Sequence, residues 1–463
     1  MPITPFLEVP KTDRYWLCNA QVPRSLLAAG LGRSASIAQS SLEVDRADLV
    51  LVDLEVNDGR LLSVRSPTAN LETDLGEADL GDVPAIDVKS GLVWPCLVDM
   101  HTHLDKGHIW PRSPNIDGTF EQALAAVQSD SQQWWNAEDV YRRAEFGLKC
   151  SYAHGTQAIR THLDAFDEQG EISFGVFRQL RQEWADRIQL QAVCLVSLDY
   201  FLTSKGEKLA DLTAAYGGVL GGVTYMNAEI VQQIDRTFDL AKERELDLDF
   251  HTDESLNPDD RALRLVAEAA VRHEFPGRIT CGHCCSLSVQ SDREVEETIA
   301  AVKAAGISIV SLPMCNLYLQ DRRQGQGSRR TPQYRGMTLL KELKAVGVKC
   351  AIASDNCRDP FHAYGDHDGL EVFTQSVKIG QLDQPIEDWP SAITQTPAEM
   401  MGLNGVGKIV EGGSADFVVF KARSFNELIA RGQGDRVVIR RGKQIDTSLP
   451  DYAELDDLMG LVG

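Results

Sequence analysis

The chain has 463 residues, 43% hydrophobic and 25% charged, a globular composition long enough for a barrel-sized domain and a smaller one. Its formal net charge of -22, from 68 acidic against 46 basic residues, speaks against general nucleic-acid binding and against docking on an anionic membrane, since both need a basic face. No apolar run reaches the roughly 18 residues of a membrane span, the N-terminus lacks a signal-peptide layout, and ten cysteines, several in apolar runs, read as reduced buried thiols, so the expected compartment is the cytoplasm.

In chain order, residues 1–91 carry short β-type runs. Residues 47–56 and 58–64 read as two strands joined by a turn at Asn57-Asp58-Gly59. No histidine falls in this stretch. From 92 to 403 strands alternate with amphipathic helical segments. Apolar runs at 92–100, 155–161, 188–196, 217–225, 246–251, 278–283, 306–314 and 348–354 number eight, which predicts a parallel sheet closed into a TIM-like (β/α)8 barrel of the α/β class. Residues 404–463 turn β again. The expected organisation is therefore a barrel domain over 92–403 and a small β-sandwich domain built from both termini, 1–91 plus 404–463. The last dozen residues are acidic and read as a loosely held tail.

Catalytic groups of such barrels lie at the C-terminal ends of the strands. Run one ends in Asp99-Met100-His101-Thr102-His103-Leu104-Asp105-Lys106, and as a strand it puts both imidazoles on one side. Run five ends in His251, followed by Thr252, Asp253 and Glu254; run six ends in Cys281-Gly282-His283; run eight ends in Ser354-Asp355-Asn356. His101, His103, His251 and Asp355 make a three-nitrogen, one-oxygen ligand set for one divalent metal ion, zinc or iron, which lowers the pKa of a bound water toward neutrality. Glu254 is placed to move a proton to and from the substrate. His283 is placed to orient or deprotonate the water, or to stabilise developing negative charge.

Other signals are weaker. Cys281, Cys284 and Cys285 have a redox or zinc-pair spacing but no second pair, which favours buried thiols. The glycine run from Gly217 to Gly222 is not followed by the Lys-Ser/Thr of a phosphate loop. Arg322, Arg323, Arg329, Arg330 and Arg335 follow run seven, either as a solvated segment or as a substrate-covering loop.

Taken together, these strand ends resemble the amidohydrolase superfamily and, within it, the cytosine deaminase-like group. The resemblance runs from about Leu92 to Val438. It includes Gly155-Thr156-Gln157-Ala158-Ile159-Arg160-Thr161-His162-Leu163-Asp164, His251-Thr252-Asp253-Glu254, Asn316-Leu317-Tyr318-Leu319-Gln320 and the closing Gly412-Gly413-Ser414-Ala415-Asp416. It implies one divalent metal and hydrolytic loss of ammonia from a ring carbon. Glu254 then protonates the ring nitrogen beside that carbon, and Asp355 acts as both ligand and proton acceptor. Run four has no lysine to bridge two metals, which favours a mononuclear centre. Cytosine-specific relatives have a glutamine where Ser197 falls and an aspartate where Asn356 falls, and Lys106 is a further departure. Ser197, Asn356, Lys106 and Trp110 are therefore the candidate substrate-binding residues. The partner expected is a small nitrogen heterocycle. Association into homo-oligomers is compatible with the sequence. Hydrolysis of a cyclic amide or N-acyl bond at the same centre is the alternative reaction, and a non-catalytic binding barrel the remote one.

Overall fold

The computed structural model describes residues 6–28, 48–67, 83–322, 330–432 and 436–461. The chain divides into two units: Met1–Val98 with Tyr152–Gln157 and Leu382–Leu449, and Asp99–Ser151 with Ala158–Gln381 and Pro450–Gly463.

The first unit holds two four-stranded sheets. One is made of β1 (Arg14–Pro23), β2 (Leu49–Asn57), β3 (Arg60–Arg65) and β4 (Ala85–Asp87), in the order β3-β2-β1-β4. The β2–β3 hairpin turns at Asp58 and Gly59, both at positive φ, as the Asn57-Asp58-Gly59 signal predicts. The other sheet joins β5 (Val93–Pro95) to three strands from the far end of the chain, β14 (Phe417–Phe420), β15 (Arg436–Arg440) and β16 (Lys443–Gln444). Their inward residues are apolar and buried: Trp94 packs edge-on to Phe420 at 5.6 Å.

The second unit is the barrel. Its strands are β6 (Leu97–Thr102), β7 (Thr156–Asp164), β8 (Gln189–Leu195), β9 (Leu220–Thr224), β10 (Leu248–Thr252), β11 (Ile279–His283), β12 (Ser308–Ser311) and β13 (Cys350–Ile352). They form runs β6-β7-β8 and β9-β10-β11-β12-β13. Parallel bridges Val193↔Val219 and Ser197↔Val223 join the two runs, and Thr102↔Asp355 closes the ring. Both faces of these strands are covered, which is why they read as continuous apolar runs and not as alternating ones. Helices follow the strands, some with a capped start and a glycine stop. Asp292–Ala305, for example, opens on a Ser291/Glu294 capping box and stops at Gly306 in the left-handed conformation.

Two expectations change. The first apolar run is two strands: Val93–Pro95 pairs with Phe417–Val419 in the first unit, and only Leu97–Thr102 enters the barrel. The two units divide at 98/99 and at 381/382. The acidic tail is not loose: Leu455 is 4% exposed against Phe146 and Cys150, while Asp457 and Glu454 pair with Arg142 and Lys149. It belongs to the barrel unit. The glycines of the fourth run serve close packing, since a Cβ at Gly221 would lie 2.1 Å from the Asp249 carbonyl oxygen. No helix among the described residues is long and apolar enough to cross a membrane.

Candidate active site

His101 and His103 leave the end of β6 on one side of the strand, and β10 ends beside them with His251. The Nε2 atoms of His101 and His251 are 3.2 Å apart, and those of His251 and His103 are 3.3 Å apart. Asp355 Oδ1 lies 3.1 Å from His103 Nε2 and 3.7 Å from His101 Nε2. The loop after β13 is brought here by backbone pairing: the Asp355 N–H donates to the His101 carbonyl at 2.8 Å, and Thr102 Oγ1 donates to the Asp355 carbonyl at 2.8 Å. Asp355 has φ +63°, in the left-handed region that aspartate enters more readily than most residues.

These four residues fit a metal ion better than they fit one another. A neutral imidazole has one acceptor nitrogen and one N–H, and three Nε2 atoms converging on one point cannot all be satisfied by mutual hydrogen bonds. Neither oxygen of the buried Asp355 carboxylate has a hydrogen-bond partner. Separations of 3.1–3.7 Å are the edges expected around an ion with bonds of about 2.0–2.2 Å. Burial holds the His101, His103 and His251 imidazoles far below their usual pKa, in the neutral form that ligates, and pushes the Asp355 carboxyl up, so that a cation is what would keep it ionised.

Gly282 makes room for this cluster. A Cβ there would meet His101 Cε1 at 2.9 Å and Nδ1 at 3.1 Å, with the strand register His251↔Gly282 fixing the approach. Gly282→Ala is therefore expected to weaken metal binding about 10–100-fold, the scale seen when a ligand's supporting contacts are disturbed. A competition titration against a chelator measures it; wild-type affinity would show that His101 is not held by this contact.

Beside these four residues lie Glu254 and His283. Glu254 Oε1 accepts from Asn316 Nδ2 at 3.1 Å and lies 3.3 Å from His283 Nδ1. Burial, then the nearby Asp355 charge, raises the Glu254 carboxyl well above its usual pKa, toward the protonated form that an acid needs. Burial pushes the His283 imidazole down to about 3, so it stays neutral. His283, at φ +66°, keeps a buried Nε2 without a hydrogen-bond partner.

A cavity of about 580 Å³ opens over these groups. His103, His251, Glu254, His283 and Asp355 line its floor, and Ser197, Asn356 and Lys106 its sides. Trp110 does not line it; its ring stands edge-on to Tyr318, 6.5 Å away. Asn356 is partly committed, since its Nδ2 donates to Asp359 at 2.8 Å. Lys106 Nζ reaches Asp164 Oδ1 at 2.7 Å, and Asp105 accepts from the Asp164 N–H at 2.7 Å. The Asp105-Lys106 pair after the two histidines thus holds the end of β7 and its carboxylate against the cavity. Asp164 and Asn316 occur in motifs of the sequence, but no spacing rule marks them as site residues; their partners are 58 and 62 positions away. The Phe120–Trp134 helix adds an apolar wall through Phe120, Leu124 and Val127.

Beneath the site, the buried Arg160 donates to Asp249 at 2.7 Å, and the His162 ring lies on His101 with centroids 3.9 Å apart. Cys281, Cys284 and Cys285 are free buried thiols, and among the described residues they join no cluster of metal-ligand spacing. Of the arginine segment, Arg322 donates to the Tyr318 carbonyl at 2.6 Å and Arg335 to the Ile379 carbonyl at 2.8 Å. Residues 323–329, with Arg323 and Arg329, lie outside the described residues.

The amidohydrolase family model matches residues 142–445. The chain belongs to the amidohydrolase family. This family member is 46% identical over 458 residues to a pterin deaminase of Rhizobium rhizogenes (strain K84 / ATCC BAA-868), covering 98% of this chain and 99% of the relative. It is 25% identical over 375 residues to the N-isopropylammelide isopropyl amidohydrolase of Pseudomonas sp. (strain ADP), covering 78% and 87% of the two chains. In fold it matches the 5-methylcytosine deaminase of Klebsiella pneumoniae liganded with 5-fluorocytosine, with a TM-score of 0.76 at 23% identity over 93% of this chain and 97% of that one. This amidohydrolase is accordingly a hydrolase of C–N bonds.

Proposed function

We propose that this amidohydrolase deaminates a pterin-type ring, with His101, His103, His251 and Asp355 as metal ligands and Glu254, His283 and Asp355 as the proton-transfer groups. The observation that carries the chemistry is the convergence of Glu254, His283 and Asp355 on one patch of cavity floor beside the ligand set, with ligating atoms of all three within 4.8 Å of one another. The support for a two-ring substrate is the 46% identity to a pterin deaminase along nearly the whole chain. A cavity of about 580 Å³, in the middle of the ~300–1,000 Å³ range of small-molecule sites, agrees with it. Cytosine is the less favoured substrate, because Ser197 and Asn356 stand where cytosine-specific relatives carry amide and carboxylate groups.

When bound, the divalent ion supplies Lewis-acid activation of a water. Asp355 would accept the proton that such a water gives up, and His283 would orient the water or stabilise developing negative charge. Protonated Glu254, held by Asn316, delivers a proton to the ring nitrogen beside the attacked carbon, so charge does not build up on the ring. Returning that proton to the exocyclic nitrogen would let it leave as ammonia, while the ring keeps the oxygen and the oxygen's remaining proton returns to Glu254. The Lys106–Asp164 pair offers a donor and an acceptor to the substrate's edge polar atoms, which is where discrimination between rings is strongest.

A screen of pterin, cytosine, an aminotriazine and a creatinine-like ring tests the reading, with ammonia release and ring absorbance as readouts. Pterin is expected to exceed cytosine in kcat/KM by at least about 100-fold, a difference of ~2.7 kcal/mol. Preference for cytosine would overturn the substrate, and ring opening without ammonia would favour the cyclic-amidase reaction. Lys106→Met leaves the half-buried Asp164 opposite an apolar chain and removes a donor from the cavity, and is expected to lower kcat/KM about 100-fold, ~2.7 kcal/mol. Unchanged kcat/KM would remove Lys106 from the substrate contacts.

A further inference from the structure

Behind the catalytic cavity the barrel unit holds a second cluster of ligand-type side chains that the deamination chemistry does not use. His108 lies on the loop after β6, and Cys357 and His367 on the loop after β13. One ligand atom of each falls within 4.8 Å of the others, and the cluster shares no residue with the His101/His103/His251/Asp355 set.

We propose that His108, Cys357 and His367 form a second metal site, taking a borderline-soft divalent ion of the zinc type, that ties the loop after the first barrel strand to the loop after the last.

His108 argues most directly for a ligand. It is 2% exposed, and neither ring nitrogen has a hydrogen-bond partner. Buried polar groups are normally satisfied, and an imidazole with both nitrogens idle is an expensive group to bury unless something binds it. Its ring faces His367, with centroids 5.4 Å apart, and its N–H donates to the Cys357 carbonyl at 3.0 Å, so backbone pairing already holds the two loops together.

The donor chemistry selects the ion. One thiolate and two imidazoles suit zinc, and do not suit magnesium or calcium, which take oxygen. A cavity of about 260 Å³ lined by Cys357, His367 and Asp366 gives the ion an entry path and leaves room for a water as fourth ligand. The ring of the C-terminal Tyr452 lies 6.4 Å from that of His108 on another side. Because Cys357 follows Asp355 and Asn356 by two and one residues, an ion here would also fix the loop that presents the catalytic aspartate.

Cobalt(II) separates the two sites. The catalytic ligand set has no sulfur, so a thiolate-to-cobalt charge-transfer band in the near ultraviolet reports only the second site. Metal-free wild-type protein is titrated with cobalt(II), the band is recorded, and bound metal per chain is counted by elemental analysis. The wild type is expected to bind two equivalents and to show the band. Cys357→Ser and His108→Ala are expected to bind one, with Cys357→Ser losing the band entirely. A wild type that binds one equivalent, or that shows no thiolate band, overturns the proposal without reference to any variant. Two equivalents retained in folded Cys357→Ser and His108→Ala proteins would overturn it as well.

Discussion

Glu254→Gln is expected to lower kcat by about 10²–10⁴-fold while leaving the catalytic metal in place, the range attributed to a positioned general acid. The substitution keeps the side chain's shape and leaves an oxygen that can accept from Asn316 Nδ2, 3.1 Å away in the wild type. It removes only the titrating proton. Glu254 is outside the four-residue ligand set, so elemental analysis of the variant should match the wild type. The environment is built for the protonated form: burial and the Asp355 charge raise the carboxyl, while Lys106 and Asn316 pull it back only in part. Single-turnover measurement with a pterin substrate isolates the step. Near-wild-type turnover with full metal content would remove Glu254 from the acid role and leave proton delivery to His283.

The barrel was legible because a strand covered on both faces reads as an unbroken apolar run. The histidines were legible because strand ends are where such barrels carry chemistry. His101 and His103 are two residues apart on one strand, so local geometry alone pairs them. Their partners are far away in sequence, yet His251 and Asp355 could be found because they too end apolar runs. The residues that sequence reasoning passed over are those whose meaning lies in a through-space contact. Asp164 is one carboxylate among 68 acidic residues until Lys106 is seen 2.7 Å from it. Asn316 sits on the short Pro313–Leu319 helix and matters only because it reaches both Glu254 and His283. Trp110, named for its nearness in sequence to the two histidines, is not among the residues lining the cavity, and its backbone N–H pairs with the Arg358 carbonyl. The first run misled for a related reason. Val93–Pro95 and Leu97–Thr102 are both fully buried and separated by Cys96 alone, and only pairing with Phe417–Val419 assigns the first piece to a different sheet.

Stripping the catalytic metal is expected to abolish deamination and to lower the melting temperature by roughly 5–10 °C, with both restored by zinc or iron. The structural reason is in the ligand set. Without a cation, the Asp355 carboxylate is 1% exposed with no hydrogen-bond donor, and three imidazole Nε2 atoms are forced together. An ion that binds only the folded state at 100–1,000 times its dissociation constant contributes about 3–4 kcal/mol, and for a chain of this size ~1 kcal/mol moves the midpoint by 2–4 °C or less. The same set gives a pH dependence to reloading. Ligation needs a deprotonated carboxylate and neutral imidazoles, and protons compete for those sites, so metal uptake should fail progressively as pH is lowered. Asp355→Asn separates the two contributions of that residue. It should lose metal as the stripped enzyme does, but added zinc should not restore turnover, because the proton acceptor is gone too. Calorimetric melts and ammonia release, run on stripped, reloaded and Asp355→Asn protein, measure each outcome. Full activity in protein shown by elemental analysis to hold no metal would overturn the assignment of the ligand set to catalysis.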